Sequence, residues 1–271
     1  MPTQGTLRIA IAGAGGRMGR ALLDAAGSLP NVKICAVLEH AASPLLGQDA
    51  AGISAAAAGL IVGADVDAAL THADVLIDFT RPEATLRHID ACRKQGVNLV
   101  IGTTGFSVEE KKQIEVASKD IAIVFAPNMS VGVNVMLKLV ALASKALHEQ
   151  YDIEIIETHH SKKVDAPSGT ALKLGEVAAE AIGKPLDEIG VFARHGVTGE
   201  RKPGSIGFSA IRGGDIIGEH TVMFAGTGER VEITHKSSTR TNYAEGALRA
   251  AVFLAGKKSG LYDMPDVLGL A

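Results

Sequence analysis

Leu7-Arg8-Ile9-Ala10-Ile11-Ala12-Gly13-Ala14-Gly15-Gly16-Arg17-Met18-Gly19 runs from an apolar, β-rich stretch through a glycine cluster into a helical pattern. Glycines at such a corner permit a tight turn and let a pyrophosphate approach the backbone. The helix beyond offers unpaired N–H groups and the positive end of its dipole. The spacing departs from G-x-G-x-x-G, because Met18 stands where the last glycine is usual and Gly19 follows it. A glycine cluster alone makes only a strand–helix turn. Glu39, twenty residues beyond Gly19 at the end of the next apolar run, adds an acceptor for a ribose hydroxyl. Together they read as a dinucleotide site.

The rest of the first half repeats this alternation. Val32–Leu38, 75–79, Asn98–Ile101 and 121–125 are short and rich in Val and Ile, as parallel strands covered on both faces should be. Helical patterns lie over 17–28, Pro82–Gln95 and 108–118, with Pro82 suited to a first helical position. The alternation predicts an α/β fold with a Rossmann-type doubly wound parallel sheet. Gly102-Thr103-Thr104-Gly105 and Ala126-Pro127-Asn128-Met129 follow the strands at Asn98–Ile101 and 121–125, at the carboxyl ends where open α/β sheets bind ligands. Their small residues suit a flat nicotinamide ring, and Asn128 suits its carboxamide.

The pattern changes near residue 130. A long helix is predicted over 133–149, a strand over 151–157, a helix over 171–182, then strands at Ile206–Arg212, 219–225 and 230–236. Alternation in Arg230-Val231-Glu232-Ile233-Thr234 predicts one face on a core and one on solvent. The second domain is therefore expected to be an α+β unit with a mixed sheet. A helical tail over 243–256 is expected to return to the first domain. The domain ranges so read are 1–130 with 240–271, and 131–239.

A length of 271 residues fits two domains, and 46% hydrophobic against 21% charged residues excludes a disordered chain. With 27 basic and 30 acidic residues there is no cationic surplus for nucleic acid. The start shows no signal-peptide pattern, and the apolar window 51–64 is too short for a membrane span. Cys35 and Cys92 read as reduced, buried thiols of a cytoplasmic protein.

The richest chemistry lies in Glu157-Thr158-His159-His160-Ser161-Lys162-Lys163-Val164-Asp165-Ala166-Pro167-Ser168-Gly169-Thr170-Ala171. Adjacent histidines lack the one-face spacing of a helical metal pair, and no thiol pair accompanies them, so no metal is expected. Ser168 or Thr170 suits the cap of the helix that follows, whose N-terminus would attract an anion. A basic loop beside it suits a substrate with carboxylates, and histidine supplies a proton donor near neutral pH.

This segment resembles the 4-hydroxy-tetrahydrodipicolinate reductase family, also called dihydrodipicolinate reductase, in its E-x-H-H-x-x-K-x-D-A-P-S-G-T-A pattern. Supporting pieces are 13–19, Asp78-Phe79-Thr80-Arg81-Pro82-Glu83, 102–105, 128–134 and Gly204-Ser205-Ile206-Gly207. The resemblance spans essentially the whole chain. It implies reduction of a cyclic imine dicarboxylate by NADH or NADPH, with loss of water, in lysine and diaminopimelate biosynthesis, by a homotetramer. His159 and Lys163 would carry the proton chemistry. His160, Lys163, Ser168, Gly169 and Thr170 would hold the small dicarboxylate. Gly13, Ala14, Gly15, Gly16, Arg17, Met18, Glu39, His40, Gly102, Thr103, Thr104, Ala126, Pro127, Asn128 and Met129 would hold the cofactor. Members favouring the 2′-phosphate cofactor commonly carry Arg after the acidic residue, whereas here His40 follows Glu39. Two other readings fit the residues: a nicotinamide-dependent dehydrogenase of another small acid, and a non-catalytic NAD(H) redox sensor.

Overall fold

The computed structural model describes residues 5–270; residues 1–4 and 271, the ends of the expected first-domain ranges, lie outside the described residues. In chain order the elements are β1 (Leu7–Ala12), α1 (Arg17–Gly27), β2 (Val32–Leu38), β3 (Val62–Gly63), α2 (Val66–Leu70), β4 (Val75–Asp78), α3 (Pro82–Gln95), β5 (Asn98–Ile101), α4 (Val108–Ala117), β6 (Ala122–Phe125) and α5 (Val131–Leu147). There follow β7 (Asp152–His159), α6 (Gly169–Ala181), α7 (Leu186–Ile189), β8 (Gly190–Val191), β9 (Ile206–Arg212), β10 (Gly218–Ala225), β11 (Arg230–Ser237), α8 (Thr241–Leu254), β12 (Gly260–Tyr262) and α9 (Met264–Leu268). The chain divides into two compact units, one running to residue 131 and resuming at 240, the other covering 132–239.

The first unit holds a parallel seven-stranded sheet in the order β12-β6-β5-β4-β1-β2-β3. Its strands read as continuous apolar runs because both faces are covered. In β1, Leu7, Ile9 and Ile11 enter the core shared with α1, α8 and α9, while Ala10 and Ala12 enter the core under α3 and α4. The chain goes from β1 to β2 and β3 on one side, then resumes at β4 on the other. The topological switch point therefore falls between β1 and β4, where Gly13 and Phe79 leave the sheet. The tail helix α8 belongs to this unit and packs through small residues, Ala244, Gly246, Ala247, Ala250 and Ala251. A side chain at Gly246 would run into the Met129 carbonyl.

The second unit holds a mixed five-stranded sheet in the order β11-β10-β7-β9-β8. The central strand β7 pairs antiparallel to β10 and parallel to β9. Its core joins Ile153 and Ile155 of β7 with Met136 and Val140 of α5, and with Ala171, Leu174 and Ala178 of α6.

Three expectations are corrected. The strand read over 151–157 continues to His159, so that histidine belongs to the sheet and not to the loop after it. Strands β3, β8 and β12 were not read at all, being two or three residues long. The edge strand β11 buries less than its alternation suggested, with Val231 still 41% exposed.

Candidate active site

At the first strand–helix corner Gly13 adopts φ +72°, a left-handed conformation that favours glycine, and its N–H is bonded to the Leu38 carbonyl. Gly19 explains the unusual spacing, since a Cβ there would collide with Gly13 and Ala14 where α1 packs on the turn. Helix α1 starts at Arg17 with Gly16 as its cap residue and without a side-chain cap, so its first N–H groups are left for a ligand. Glu39 sits directly after β2. Its Oε1 accepts the Gly15 N–H at 2.7 Å and its Oε2 accepts the His40 N–H at 3.3 Å. These residues line a cleft of about 880 Å³ shared with Ser43, Phe79, Thr80, Arg81 and Arg87. An uncapped helix N-terminus, a glycine-rich turn and an acidic acceptor in one cleft fit a dinucleotide. Arg81 stands in the same cleft as Glu39 and His40.

The loop after β5 is fastened from inside. Asp78, fully buried, accepts through Oδ1 from the Thr80 N–H at 2.9 Å, the Thr80 hydroxyl at 2.6 Å and the Thr103 hydroxyl at 3.3 Å. Its Oδ2 lies 2.7 Å from His88 Nδ1. The Thr103 side chain is thus committed to the protein. A Cβ at Gly102 would enter the Phe79 ring. After β6, Met129 is buried in the core and the Asn128 side chain accepts from the Ser130 N–H at 2.9 Å.

In the second unit, alternation along β7 places Ile153, Ile155, Glu157 and His159 on its buried face. Glu157 is 1% exposed. Its Oε2 is 2.5 Å from His159 Nδ1, and Arg212 at the end of β9 forks onto both oxygens at 2.7 and 2.8 Å. The Ser168 N–H donates to Oε1 at 3.1 Å. Burial pushes the Glu157 carboxyl up, but Arg212 and His159 outweigh it and hold it below the ordinary carboxylate value. Burial lowers the proton affinity of His159 and outweighs Glu157, with Lys163 and Arg212 acting in the same sense as burial. His220 of β10 stands edge-on to His159 at 5.1 Å, with Nε2 2.9 Å from the Ser168 hydroxyl. Burial, helped by His159, brings His220 down to about 4.

His160, the first residue past the strand, is half-buried, and its Nδ1 lacks a partner among the described residues. The Lys163 N–H closes a turn onto the His160 carbonyl, and its ammonium donates to Asp165 at 2.8 Å. Ser168, one of the two residues read as a cap of α6, is that cap and is buried: its hydroxyl accepts the Ala171 N–H at 3.2 Å. Gly169 and Thr170 open the helix. Glu157, Arg212 and His220 were not singled out as site residues from the sequence. The signal for Glu157 was its place at a core-facing position of an alternating strand.

Residues 7–129 match the family described as dihydrodipicolinate reductase, N-terminus, and residues 132–268 match dihydrodipicolinate reductase, C-terminus. The chain belongs to the dihydrodipicolinate reductase family. It is 60% identical over 265 residues to the 4-hydroxy-tetrahydrodipicolinate reductase of Nitrosospira multiformis, covering 98% of each chain. It is 58% identical to that of Burkholderia lata, over 97% of this chain and 100% of the relative. The solved structure of dipicolinate-bound dihydrodipicolinate reductase from Paenisporosarcina sp. TG-14 superposes with a TM-score of 0.77 at 26% identity, covering 95% of this chain and 97% of that one. These matches support the reductase reading and not the other dehydrogenase or the redox sensor. Among the described residues no helix is long and apolar enough to cross a membrane.

Proposed function

We propose that the chain reduces 4-hydroxy-tetrahydrodipicolinate to tetrahydrodipicolinate with NADH or NADPH, in lysine and diaminopimelate biosynthesis, and that His159 and Lys163 move the protons. The observation that carries this reading is the His159 imidazole, held by a buried carboxylate within the influence of the Lys163 charge, in a chain that matches the family end to end. The first unit holds the dinucleotide through the backbone of 13–18, Glu39, 102–104 and 126–129. The second holds the dicarboxylate through His160, Lys163 and the start of α6 at Gly169 and Thr170, where the helix dipole favours an anion.

Bound nicotinamide would supply a hydride. Loss of water from the substrate removes a proton from the carbon beside the imine carbon and hydroxide from the next one. A base and an acid are both needed. Burial keeps His159 neutral at rest, so it can take the carbon-bound proton, while the Lys163 ammonium can protonate the departing hydroxide to water and regain its proton from solvent. Hydride addition to the carbon that bore the hydroxyl then leaves charge beside the imine carbon, and His159 returns its proton there. The two steps thus use one imidazole in both directions.

The dipicolinate bound to the Paenisporosarcina relative supports a diacid site, because it offers two carboxylates on a ring of similar size. A homotetramer fits the open edge of β11, where backbone groups and Val231 await a partner strand. A cytoplasmic setting fits the free thiols of Cys35 and Cys92. The test is a coupled assay generating 4-hydroxy-tetrahydrodipicolinate, with NADH or NADPH consumption followed by absorbance. Absence of turnover with both cofactors overturns the reading.

A further inference from the structure

We propose that Glu157 is the positioning residue of His159: clamped by Arg212, it takes the imidazole Nδ1–H and leaves Nε2 as the atom that exchanges a proton with substrate. This rests on the reading of His159 as proton carrier given above. Oε1 of Glu157 receives Arg212 Nη2 and the Ser168 N–H; Oε2 receives Arg212 Nη1 and faces His159 Nδ1. An ionised carboxylate has no proton to give, so Nδ1 must be the donor in that contact. A neutral imidazole that carries its proton on Nδ1 is bare at Nε2.

Two further observations bear on this. A Cβ at Gly218 would stand 3.0 Å from His159 Nε2, so the glycine keeps that nitrogen clear. Arg212 also holds the loop after β7, through the Asp165 carbonyl at 2.7 Å, which ties the clamp to the segment bearing Lys163. Of the groups facing the ring, Arg212 from β9 and Lys163 from the loop oppose its protonation, and Asp165 partly neutralises Lys163. His220 from β10 lies edge-on to it. Glu157 from β7 favours the charged ring. The carboxylate therefore does two things: it selects the tautomer, and it stabilises the imidazolium formed when Nε2 takes a proton.

The experiment uses the full chain labelled with ¹⁵N, with the His159 signals assigned by their loss in His159→Gln. In wild type the neutral ring is expected to show a protonated Nδ1 and a bare Nε2; a bare Nδ1 overturns the proposal, whichever variants fold. In Glu157→Gln the His159 titration is expected to move to lower pH. The kcat should fall by on the order of 10²-fold, with the dissociation constant for dipicolinate within about threefold of wild type. Glu157→Asp, which keeps the charge, should bring the titration back towards wild type. A Glu157→Gln protein with the wild-type titration also overturns the proposal, as does one that loses dipicolinate affinity and kcat in equal measure. If His159→Gln keeps full activity, the catalytic reading of His159 fails, while the tautomer measurement still decides what Glu157 does.

Discussion

The Lys163 ammonium donates to the Asp165 carboxylate at 2.8 Å, so the cation proposed to meet a substrate carboxylate is already paired within its own loop. The Asp165 side chain is 54% exposed, and such a pair contributes at most about 1 kcal/mol, little enough for a ligand carboxylate to displace. Lys163→Ala is expected to weaken dipicolinate binding by about 10–150-fold, the equivalent of ~1.5–3 kcal/mol for a charge-assisted hydrogen bond. Asp165→Asn should tighten it by up to about fivefold. Calorimetric titration of both variants checks this. Unchanged affinity in Lys163→Ala would remove that residue from the carboxylate contact.

His159→Gln is expected to lower kcat by ~10²–10⁴-fold with little change in KM, because glutamine fills the space but carries no exchangeable proton of suitable affinity. Steady-state kinetics at saturating cofactor decides it. A kcat within threefold of wild type would take His159 out of the chemistry.

How much of this was legible in the sequence depended on how loudly each residue signals its neighbours. Helix α3 was read to the residue with Pro82 as its opening signal, and in the structure Gly96, at φ +67°, closes it. β9 was read to the residue as well. By contrast β7 was cut short at Glu157, since a carboxylate in a core-facing position looks like the end of a buried strand. Its partner Arg212 is 55 residues away and becomes visible only once β9 is paired beside β7. The glycine turn, Glu39 and the His–Lys segment were legible because their chemistry is local. The cap role of Ser168 was legible for the same reason, but its second partner was not, because His220 comes from β10. The same holds for Thr103, whose hydroxyl is drawn inward by Asp78 from the end of β4.

Stability should fall with pH well before the carboxylates titrate. His220 binds a proton near pH 4 in the folded chain, because burial disfavours the charged ring, but near 6.5 when unfolded. Between those values the unfolded state holds more protons, so folding weakens as the pH drops, by roughly 3 kcal/mol in all for this residue. His159 and His235, both lowered chiefly by burial, act in the same direction. The contribution of Glu157, whose folded value is depressed, is present above its unfolded value near 4.5 and is lost only below it. Denaturant unfolding from pH 7.5 to 4.5 should therefore show a decline that His220→Gln makes shallower. A flat profile from pH 7 to 5 would contradict a neutral, buried His220.

The choice between cofactors turns on the residues around Glu39. Its carboxylate faces the Gly15 amide and, in a bound dinucleotide, would accept from the adenosine ribose hydroxyls. The same charge repels a 2′-phosphate unless a cation stands between them. His40 is the residue placed to do so, with its ring 71% exposed and Nε2 3.8 Å from Glu39 Oε2, but an imidazole is a weaker phosphate partner than the bidentate fork of arginine. NADH is therefore expected to be preferred at pH 8, with NADPH also used. His40→Arg should shift the ratio of kcat/KM values towards NADPH by roughly tenfold, the worth of about one charge-assisted contact. Arg81 and Arg87 line the same cleft and supply the control. Arg81→Ala is expected to leave the NADPH-to-NADH ratio of the wild type within about threefold, since the phosphate contact in wild type is assigned to His40. The measurement is kcat/KM for both cofactors in wild type, His40→Arg and Arg81→Ala. A strong NADPH preference in wild type that disappears in Arg81→Ala would make Arg81 the phosphate ligand and overturn the assignment to position 40.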